Sequence, residues 1–185
     1  RSRIVIAHVR RANRGRVALE NTHPFTRELW GRAWTFAHNG QLKGVKTYPT
    51  GFYSPIGTTD SEHAFCWLLN ELRTAFSSMP APRQLDPAIG ELCARMGRLG
   101  VFNILMSDSR SLYTWSNKKL CHITRAAPFG TATLIDEDLQ VDFSKLTQPT
   151  DRVSVIATAP LTRDEVWSPV EPGRLLVFRD GKAVG

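Results

Sequence analysis

The order of the predicted elements favours an α+β fold. Strand-like runs open the chain, two helical segments follow in its middle, and short strands joined by turns fill the rest. Strands, then helices, then antiparallel strands are typical of α+β proteins or of layered sheet sandwiches. With 185 residues, of which 42% are hydrophobic, the chain suits one domain with a core of its own.

The opening of the chain predicts two strands. The apolar run 4–9 predicts a buried strand, and residues 34–37 predict a second one that ends at His38, Asn39 and Gly40. A domain seldom begins inside a core strand. We therefore expect the first strands of this domain to lie upstream of Arg1.

The middle of the chain predicts two helices. The clearest covers residues 60–76, because its apolar residues recur at helical spacing. These residues are Phe65, Leu68, Leu69, Leu72 and Phe76. Thr59 and Glu62 have the spacing of a capping box, so we expect Thr59 to be the N-cap. A shorter helix is predicted from Asp86 or Pro87 to about Arg98.

Six strand-like runs are predicted in the rest of the chain. They cover residues 101–106, 112–115, 120–124, 132–135, 153–158 and 174–179. The segments 108–110 and 180–181 are rich in turn-forming residues and predict hairpin turns.

Charge and composition limit the kinds of partner that the protein can bind. The net charge is +7, and arginine is dense in the opening residues, which keeps nucleic acid open as a partner. However, residues 1–20 contain no Phe, Trp or Tyr on which bases could stack, and this argues against nucleic-acid binding as the function. No apolar run approaches the roughly 18 residues that a membrane span needs, so no membrane partner is expected.

The cysteines indicate a reducing compartment and therefore a cytoplasmic protein. Cys66, Cys93 and Cys121 are odd in number, lie far apart and form no C-x-x-C pair. Small core residues are the more frequent use of such cysteines. His8, His23 and His38 lack the helical spacing of metal ligands, so we expect neither a metal nor another cofactor.

The segment Asn39-Gly40 allows two interpretations. On local evidence it is a type I′ hairpin turn. However, the following residues read as a loop and not as a partner strand. The alternative is an oxyanion hole, because an Asn side-chain amide and a Gly backbone N–H can converge on one oxygen.

Two charged residues could select an amino acid. Arg10 follows the first predicted strand and could bind a carboxylate in bidentate fashion, whereas surface charge is the plainer interpretation. Asp60 begins the clearest helix and could bind an ammonium group. It could equally do no more than favour the positive end of that helix.

Four segments together resemble the class II glutamine amidotransferases, which are N-terminal-nucleophile hydrolases. "AHVRRAN" is similar to the family's G/A-H-x-R-x-A-T segment, "NTHPF" to its N-x-H/Q-P-F loop, "FAHNG" to its H-N-G segment and "GTTDSE" to its T/S-D-S/T-E helix start. The four occur in the family's order within residues 7–62, and the resemblance extends over the whole chain, including "VIATAPLT" in a later strand. Each motif alone is weak, whereas the set is specific.

The resemblance implies a fold and a set of roles. The fold would be the four-layer αββα sandwich of N-terminal-nucleophile hydrolases, formed by residues 1–185 as one domain. Arg10 would bind the glutamine α-carboxylate and Asp60 its α-ammonium, while Asn39 and Gly40 would form the oxyanion hole. Ala12 and Asn13 would line the pocket, although the family often has Thr at the position of Asn13. His38 would orient the segment without acting as a base.

The resemblance also implies a nucleophile that the chain does not contain. The family uses a cysteine at the mature N-terminus, whose free α-amino group is the general base. Here residue 1 is Arg, so we expect the catalytic cysteine upstream of it. The expected reaction is hydrolysis of the γ-amide of glutamine or of a γ-glutamyl compound, with or without transfer to a separate acceptor or synthase protein. A basic nucleic-acid module and a noncatalytic relative remain alternatives.

Overall fold

The structure, a computed structural model, describes residues 2–9 and 18–184. Two α-helices and eleven β-strands form within these residues. The helices are α1 (Asp60–Ala75) and α2 (Pro82–Gly97). The first strands are β1 (Phe25–Leu29), β2 (Arg32–Leu42), β3 (Gly100–Ser107), β4 (Leu112–Ser116) and β5 (Cys121–Ala126). The remaining strands are β6 (Thr131–Thr133), β7 (Gln140–Asp142), β8 (Arg152–Ala157), β9 (Ser168–Pro169), β10 (Leu175–Arg179) and β11 (Lys182–Val184).

The strands form three antiparallel sheets. The main sheet has six strands in the order β1-β2-β3-β4-β10-β11. A smaller sheet has the order β8-β5-β9, and β6 pairs with β7 alone. All these pairs are antiparallel, so the predicted α+β class is confirmed.

One face of the main sheet carries the core and packs against both helices. Successive side chains of a strand point to opposite faces, and the even-numbered residues of β2 point towards the helices. Phe36 stacks on Phe65 of α1 with ring centroids 5.0 Å apart, and Trp34 stacks on Tyr113 at 6.1 Å. These four rings are buried, because the helices close this face from solvent. Burial of such large apolar surface is the main stabilising contribution to the fold.

The other face of the main sheet meets the smaller sheet. The ring of His122 in β5 lies 5.6 Å from the ring of Phe178 in β10. The Ser154 hydroxyl in β8 donates a 2.9 Å hydrogen bond to the carbonyl of Gly181 in the turn after β10. Helices, main sheet and smaller sheet are therefore stacked as successive layers.

The predicted start of α1 is confirmed. The backbone N–H of Glu62 donates to Thr59 Oγ1 at 3.1 Å, which makes Thr59 the N-cap. The second helix begins earlier than predicted, because Pro82 occupies its first turn, where a missing N–H breaks no helical hydrogen bond. No helix in the described parts of the chain is long and apolar enough to cross a membrane.

The strand predicted over residues 4–9 is wrong, since the structure assigns no strand there. Ile4, Ile6 and His8 are half-buried, whereas the residues between them are exposed, including Val9 at 98%. The apolar run thus keeps the alternation of an extended chain. It lacks a hydrogen-bonded partner strand within the described residues, so the sequence pattern overestimated its burial.

Candidate functional site

The candidate site is built on the second half of β2. The prediction that this strand ends at His38-Asn39-Gly40 is wrong. The strand β2 continues to Leu42, and its pairing with β3 extends as far as the pair Leu42 and Gly100. The hairpin interpretation of Asn39-Gly40 is excluded with it. On its other side, β1 pairs only with residues 32–36 of β2 in the part of the chain that the structure describes. Residues 39–41 are exposed there.

Gly40 is required by the close approach of β3. A Cβ atom at this position would lie 1.9 Å from the carbonyl oxygen of Val101 and 2.7 Å from Nε2 of His38. No side chain fits in that space, so only glycine lets the two strands meet here.

His38 ties β2 to β3 and to α1. Its Nε2 lies 3.0 Å from the Val101 carbonyl oxygen, and its Nδ1 lies 2.8 Å from the hydroxyl of buried Ser61. A carbonyl only accepts, so Nε2 carries the hydrogen and neutral Nδ1 accepts from Ser61. Burial lowers the pKa of His38, against opposing effects of the Val101 carbonyl and Asp60, and this favours the neutral ring.

Asn103 holds the peptide group of Asn39 from the other face of the sheet. Its Nδ2 donates a 2.9 Å hydrogen bond to the carbonyl oxygen of Asn39, which is its direct partner in β2. Its Oδ1 accepts from the Ser116 hydroxyl at 2.7 Å and from the backbone N–H groups of Lys118 and Lys119. Asn103 is 4% exposed, so its amide is fixed on both ends.

Asp60 joins the start of α1 to the same stretch of β2. Its Oδ2 accepts from the backbone N–H of Leu42 at 2.7 Å, and its Oδ1 accepts from that of Ser61 at 3.0 Å. The carboxylate is half-buried and has further lone pairs for a ligand. Because Leu42 is two residues beyond Gly40, the helix start and the Asn39-Gly40 segment are neighbours.

A buried carboxylate supports the loop before α1. Glu62 is 1% exposed and accepts from the backbone N–H groups of Ile56 at 3.0 Å and Gly57 at 2.7 Å. It also pairs with Arg27 of β1 at 2.5 Å. The Glu62 side chain therefore binds the loop in place of the Thr59 N–H that a full capping box would use.

The structure brings some of the expected residues together. His38, Gly40 and Asp60 lie in one connected network. Strand alternation places the side chain of Asn39 on the opposite face from His38, in the row that contains Asn103. The remaining expected site residues, Arg10, Ala12 and Asn13, lie outside the described residues.

The described residues contain no group of His, Cys, Asp and Glu side chains that could hold a metal ion. His8 does lie near His23, with ring centroids 4.3 Å apart. The three thiols are set in the fold as core or half-buried residues. Burial raises the pKa of all three, that of Cys66 to about 11, so they are protonated near pH 7.

The sequence interpretation missed three residues of this network. Ser61 and Glu62 lie in the motif "GTTDSE", whose only assigned binding residue was Asp60. Asn103 interrupts the apolar run of β3, and a polar residue inside a buried strand is the signal that could have identified it.

Comparisons with known proteins agree with each other. The family model described as "Glutamine amidotransferases class-II" matches residues 1–185. The Escherichia coli (strain K12) protein named "Putative glutamine amidotransferase YafJ" is 52% identical over 181 residues, which are 97% of this chain and 71% of that protein. A crystal structure of a "predicted glutamine amidotransferase from Pseudomonas aeruginosa PA01" has a TM-score of 0.84 and 49% identity, over 96% of this chain and 70% of that one.

A more distant structure agrees in fold alone. The glutamine phosphoribosylpyrophosphate amidotransferase from B. subtilis has a TM-score of 0.52 at 15% identity, over 96% of this chain and 33% of that one. Together these matches confirm the expected fold of the N-terminal-nucleophile hydrolase type.

Proposed function

Since this chain belongs to the class II glutamine amidotransferase family, we propose that it forms the binding and oxyanion half of a site that hydrolyses a γ-glutamyl amide. The substrate is glutamine or a small γ-glutamyl compound. The nucleophile is a cysteine outside these 185 residues. Ammonia or an amine leaves, and a thioester forms that water or a separate acceptor resolves.

One observation carries the proposal. Asn103 binds the Asn39 carbonyl, the preceding residue His38 ties β2 to Val101 of β3, and the carboxylate of Asp60 is bonded to Leu42 two residues beyond Gly40. An oxyanion hole needs donors that are fixed before the reaction begins, because reorganising them would cost free energy in the transition state. A peptide held in this way, beside a bonded carboxylate, supports the assignment of the Gly40 N–H as a donor.

The chemistry assigned to Asn39 and Gly40 is stabilisation of developing negative charge. The thiolate attacks the γ-carbonyl carbon, and the carbonyl oxygen takes up the electron pair of the C=O bond. The side-chain amide of Asn39 and the backbone N–H of Gly40 donate to that oxygen. When the tetrahedral intermediate collapses, the C–N bond breaks, and the leaving nitrogen takes the proton that the α-amino group of the N-terminal cysteine had accepted from the thiol.

Selection of the amino acid end is assigned to two charges. Asp60 binds the α-ammonium and Arg10 the α-carboxylate, with Ala12 and Asn13 lining the pocket beside them. A site with both charges disfavours analogues that lack one, because a partly buried charge is then left without its partner. His38 holds the strand and takes no proton from the substrate.

The state of the chain's own thiols supports a nucleophile from elsewhere. A nucleophilic cysteine needs an accessible, low-pKa thiolate. Cys66 and Cys93 are fully buried, and burial raises their thiol pKa values. Cys121 is half-buried in β5 and also has a raised pKa.

The test uses the full-length protein and a glutamine-mimicking diazo ketone, together with an assay of ammonia release from glutamine and from a γ-glutamyl dipeptide. We expect labelling at a cysteine other than Cys66, Cys93 and Cys121. Asn39→Ala should lower kcat by about 100-fold or more, because one oxyanion donor is lost. Asp60→Asn should mainly raise KM, because it removes a charge that binds the substrate throughout the reaction.

Asp136→Asn is the matched control for Asp60→Asn, since Asp136 is exposed in the turn after β6. Its kinetics should equal those of the wild type. Full activity of both Asn39→Ala and Asp60→Asn, or labelling at one of the three internal thiols, would contradict the proposal. The ratio of kcat/KM for glutamine to kcat/KM for the γ-glutamyl dipeptide distinguishes a glutaminase from a γ-glutamyl hydrolase.

A further inference from the structure

Asn103 is a buried asparagine that donates its side-chain N–H to a peptide group of the neighbouring strand. It lies in β3, is 4% exposed, and its Nδ2 donates to the backbone carbonyl oxygen of Asn39 at 2.9 Å. A buried amide makes such a bond at the expense of its hydration, so the bond has to be well formed to be retained.

The Asn39 carbonyl and the Gly40 N–H belong to the same peptide group. The cis peptide bonds of the described residues are His23-Pro24 and Ala127-Pro128, so the Asn39-Gly40 bond is trans. In a planar trans peptide the C=O and the N–H point in opposite directions. Whatever fixes the Asn39 oxygen therefore fixes the direction of the Gly40 N–H as well.

That direction leads away from β3. Asn103 approaches from β3, so the Asn39 oxygen faces that strand and the Gly40 N–H faces the other side of β2. On that side β1 pairs only with residues 32–36 in the part of the chain that the structure describes. Among the described residues no strand pairs with Gly40 on that side, and residue 40 is exposed.

We infer that Asn103 is a positioning residue that sets the Gly40 N–H as an oxyanion donor. This inference rests on the proposed function for the oxyanion itself, whereas the aim of the N–H follows from the hydrogen bonds. Asn103 acts through the peptide and does not touch the substrate. Its own amide is held by Ser116 and by the backbone N–H groups of Lys118 and Lys119.

Asn103→Asp is the sharpest test in the full-length protein. An ionised carboxylate keeps the size of the side chain and still accepts from Ser116, but it has no hydrogen to donate to the Asn39 oxygen. We expect kcat for glutamine hydrolysis to fall about tenfold or more with an unchanged KM. A misaligned donor stabilises the transition state less and leaves substrate binding unaffected. The Gly40 amide resonance in a ¹H–¹⁵N spectrum should shift.

Asn117→Asp is the matched control. Asn117 is a neighbouring asparagine that donates to the carbonyl oxygens of Gly97 and Gly100 and accepts from the N–H of Phe102. The same chemical change there removes hydrogen bonds to Gly97 and Gly100 and none to the Asn39-Gly40 peptide. It should lower the melting temperature without changing kcat or the Gly40 resonance. If Asn103→Asp does not fold, Ser116→Ala replaces it, with a smaller kcat loss of about threefold expected from a loosened Asn103 amide.

The outcomes separate this inference from the proposed function. An Asn39→Ala variant that loses activity beside an Asn103→Asp variant with wild-type kcat and an unmoved Gly40 resonance overturns the positioning role alone. An inactive wild type overturns the proposed function, and the Gly40 resonance then still decides whether Asn103 aims the peptide. A loss of stability with unchanged kcat in both asparagine variants would show a structural role only.

Discussion

Two regions of this molecule, one around β2 and one around β5, use polar side chains in different ways. Around β2 and the start of α1, side chains bind the main chain: Asn103 binds the Asn39 carbonyl, and Asp60 binds the Leu42 N–H. Around β5, the best-connected cluster binds side chain to side chain. There Arg125 forms two hydrogen bonds to Glu165, at 2.7 and 2.5 Å, and Glu165 also accepts from Thr162.

The difference separates two tasks. Side chains that hold peptide groups define where backbone N–H and C=O groups point, which matters to a ligand that is bound by the backbone. Side chains that hold each other join elements and leave the peptide geometry to the sheet. Substitutions in the first region should therefore change activity and stability together, whereas those in the second should change stability alone.

The largest expected effect is at Gly40. Gly40→Ala places a Cβ 1.9 Å from the Val101 oxygen, so β2 and β3 must separate. We expect a loss of about 3 kcal/mol in the free energy of unfolding and loss of glutamine hydrolysis. Urea denaturation and an ammonia assay measure the two. Gly130→Ala, in the second region, has no heavy atom within 4 Å of the added Cβ and should change stability by less than about 0.5 kcal/mol.

A smaller effect is expected at Glu62. Glu62→Gln removes the charge that pairs with Arg27, whose side chain is only 18% exposed, and leaves one N–H of the loop before α1 poorly matched. We expect the free energy of unfolding to fall by about 2 kcal/mol. The affinity for glutamine should weaken as well, because Asp60 follows that loop. Thermal unfolding and KM report these changes.

The control for Glu62→Gln is Glu71→Gln on the outer surface of α1. Glu71 pairs with Arg95, and their side chains are 35% and 48% exposed. Exposed pairs contribute little, so the expected loss is below about 0.5 kcal/mol. Equal losses of unfolding free energy in Glu62→Gln and Glu71→Gln would show that Glu62 does not hold the loop.

Sequence predicted the parts of the fold that depend on neighbours in the chain. The helix α1 was predicted because its cap at Thr59 and its apolar stripe lie within a few turns of each other. Short strands such as β7 and β9 were not predicted, since two or three residues carry too little periodicity. The extension of β2 past Gly40 was missed because it depends on pairing with β3, far along the sequence.

The candidate site was predictable to the same extent. The local motifs pointed to Asn39, Gly40 and Asp60, whereas the role of Asn103 depends on which residue of β3 is opposite Asn39. Register between distant strands is not readable from either strand alone. Arg10, Ala12 and Asn13 lie outside the described residues, so their roles stay predictions.

In the region around β5, Glu165→Gln should lower the free energy of unfolding by about 1 kcal/mol and leave glutamine hydrolysis unchanged. The hydrogen bond from Arg125 lowers the pKa of Glu165 below its ordinary value of 4.5. The carboxylate therefore stabilises the fold above about pH 4.5, and this contribution is lost as the pH falls through the lowered value. Urea denaturation at pH 7 and pH 3 should show the difference between wild type and variant shrinking in acid. A reduced kcat would contradict the division of tasks.

The smallest expected effect is the pH dependence that His38 adds to the first region. Burial lowers its pKa below the ordinary value of 6.5, with Val101 and Asp60 opposing and His8 adding to the shift. Below pH 6.5 the unfolded chain binds a proton that the folded ring resists, so stability falls as the pH falls. At pH 6 this loss stays below about 1 kcal/mol, because proton binding by the unfolded chain limits it. Burial lowers the pKa of His122 as well, so the His38→Gln variant keeps part of the pH dependence. We therefore expect His38→Gln to have a shallower dependence between pH 7.5 and 5.5 than the wild type in urea titrations, and an unchanged slope would mean that the buried ring accepts a proton without opening the clamp on Val101.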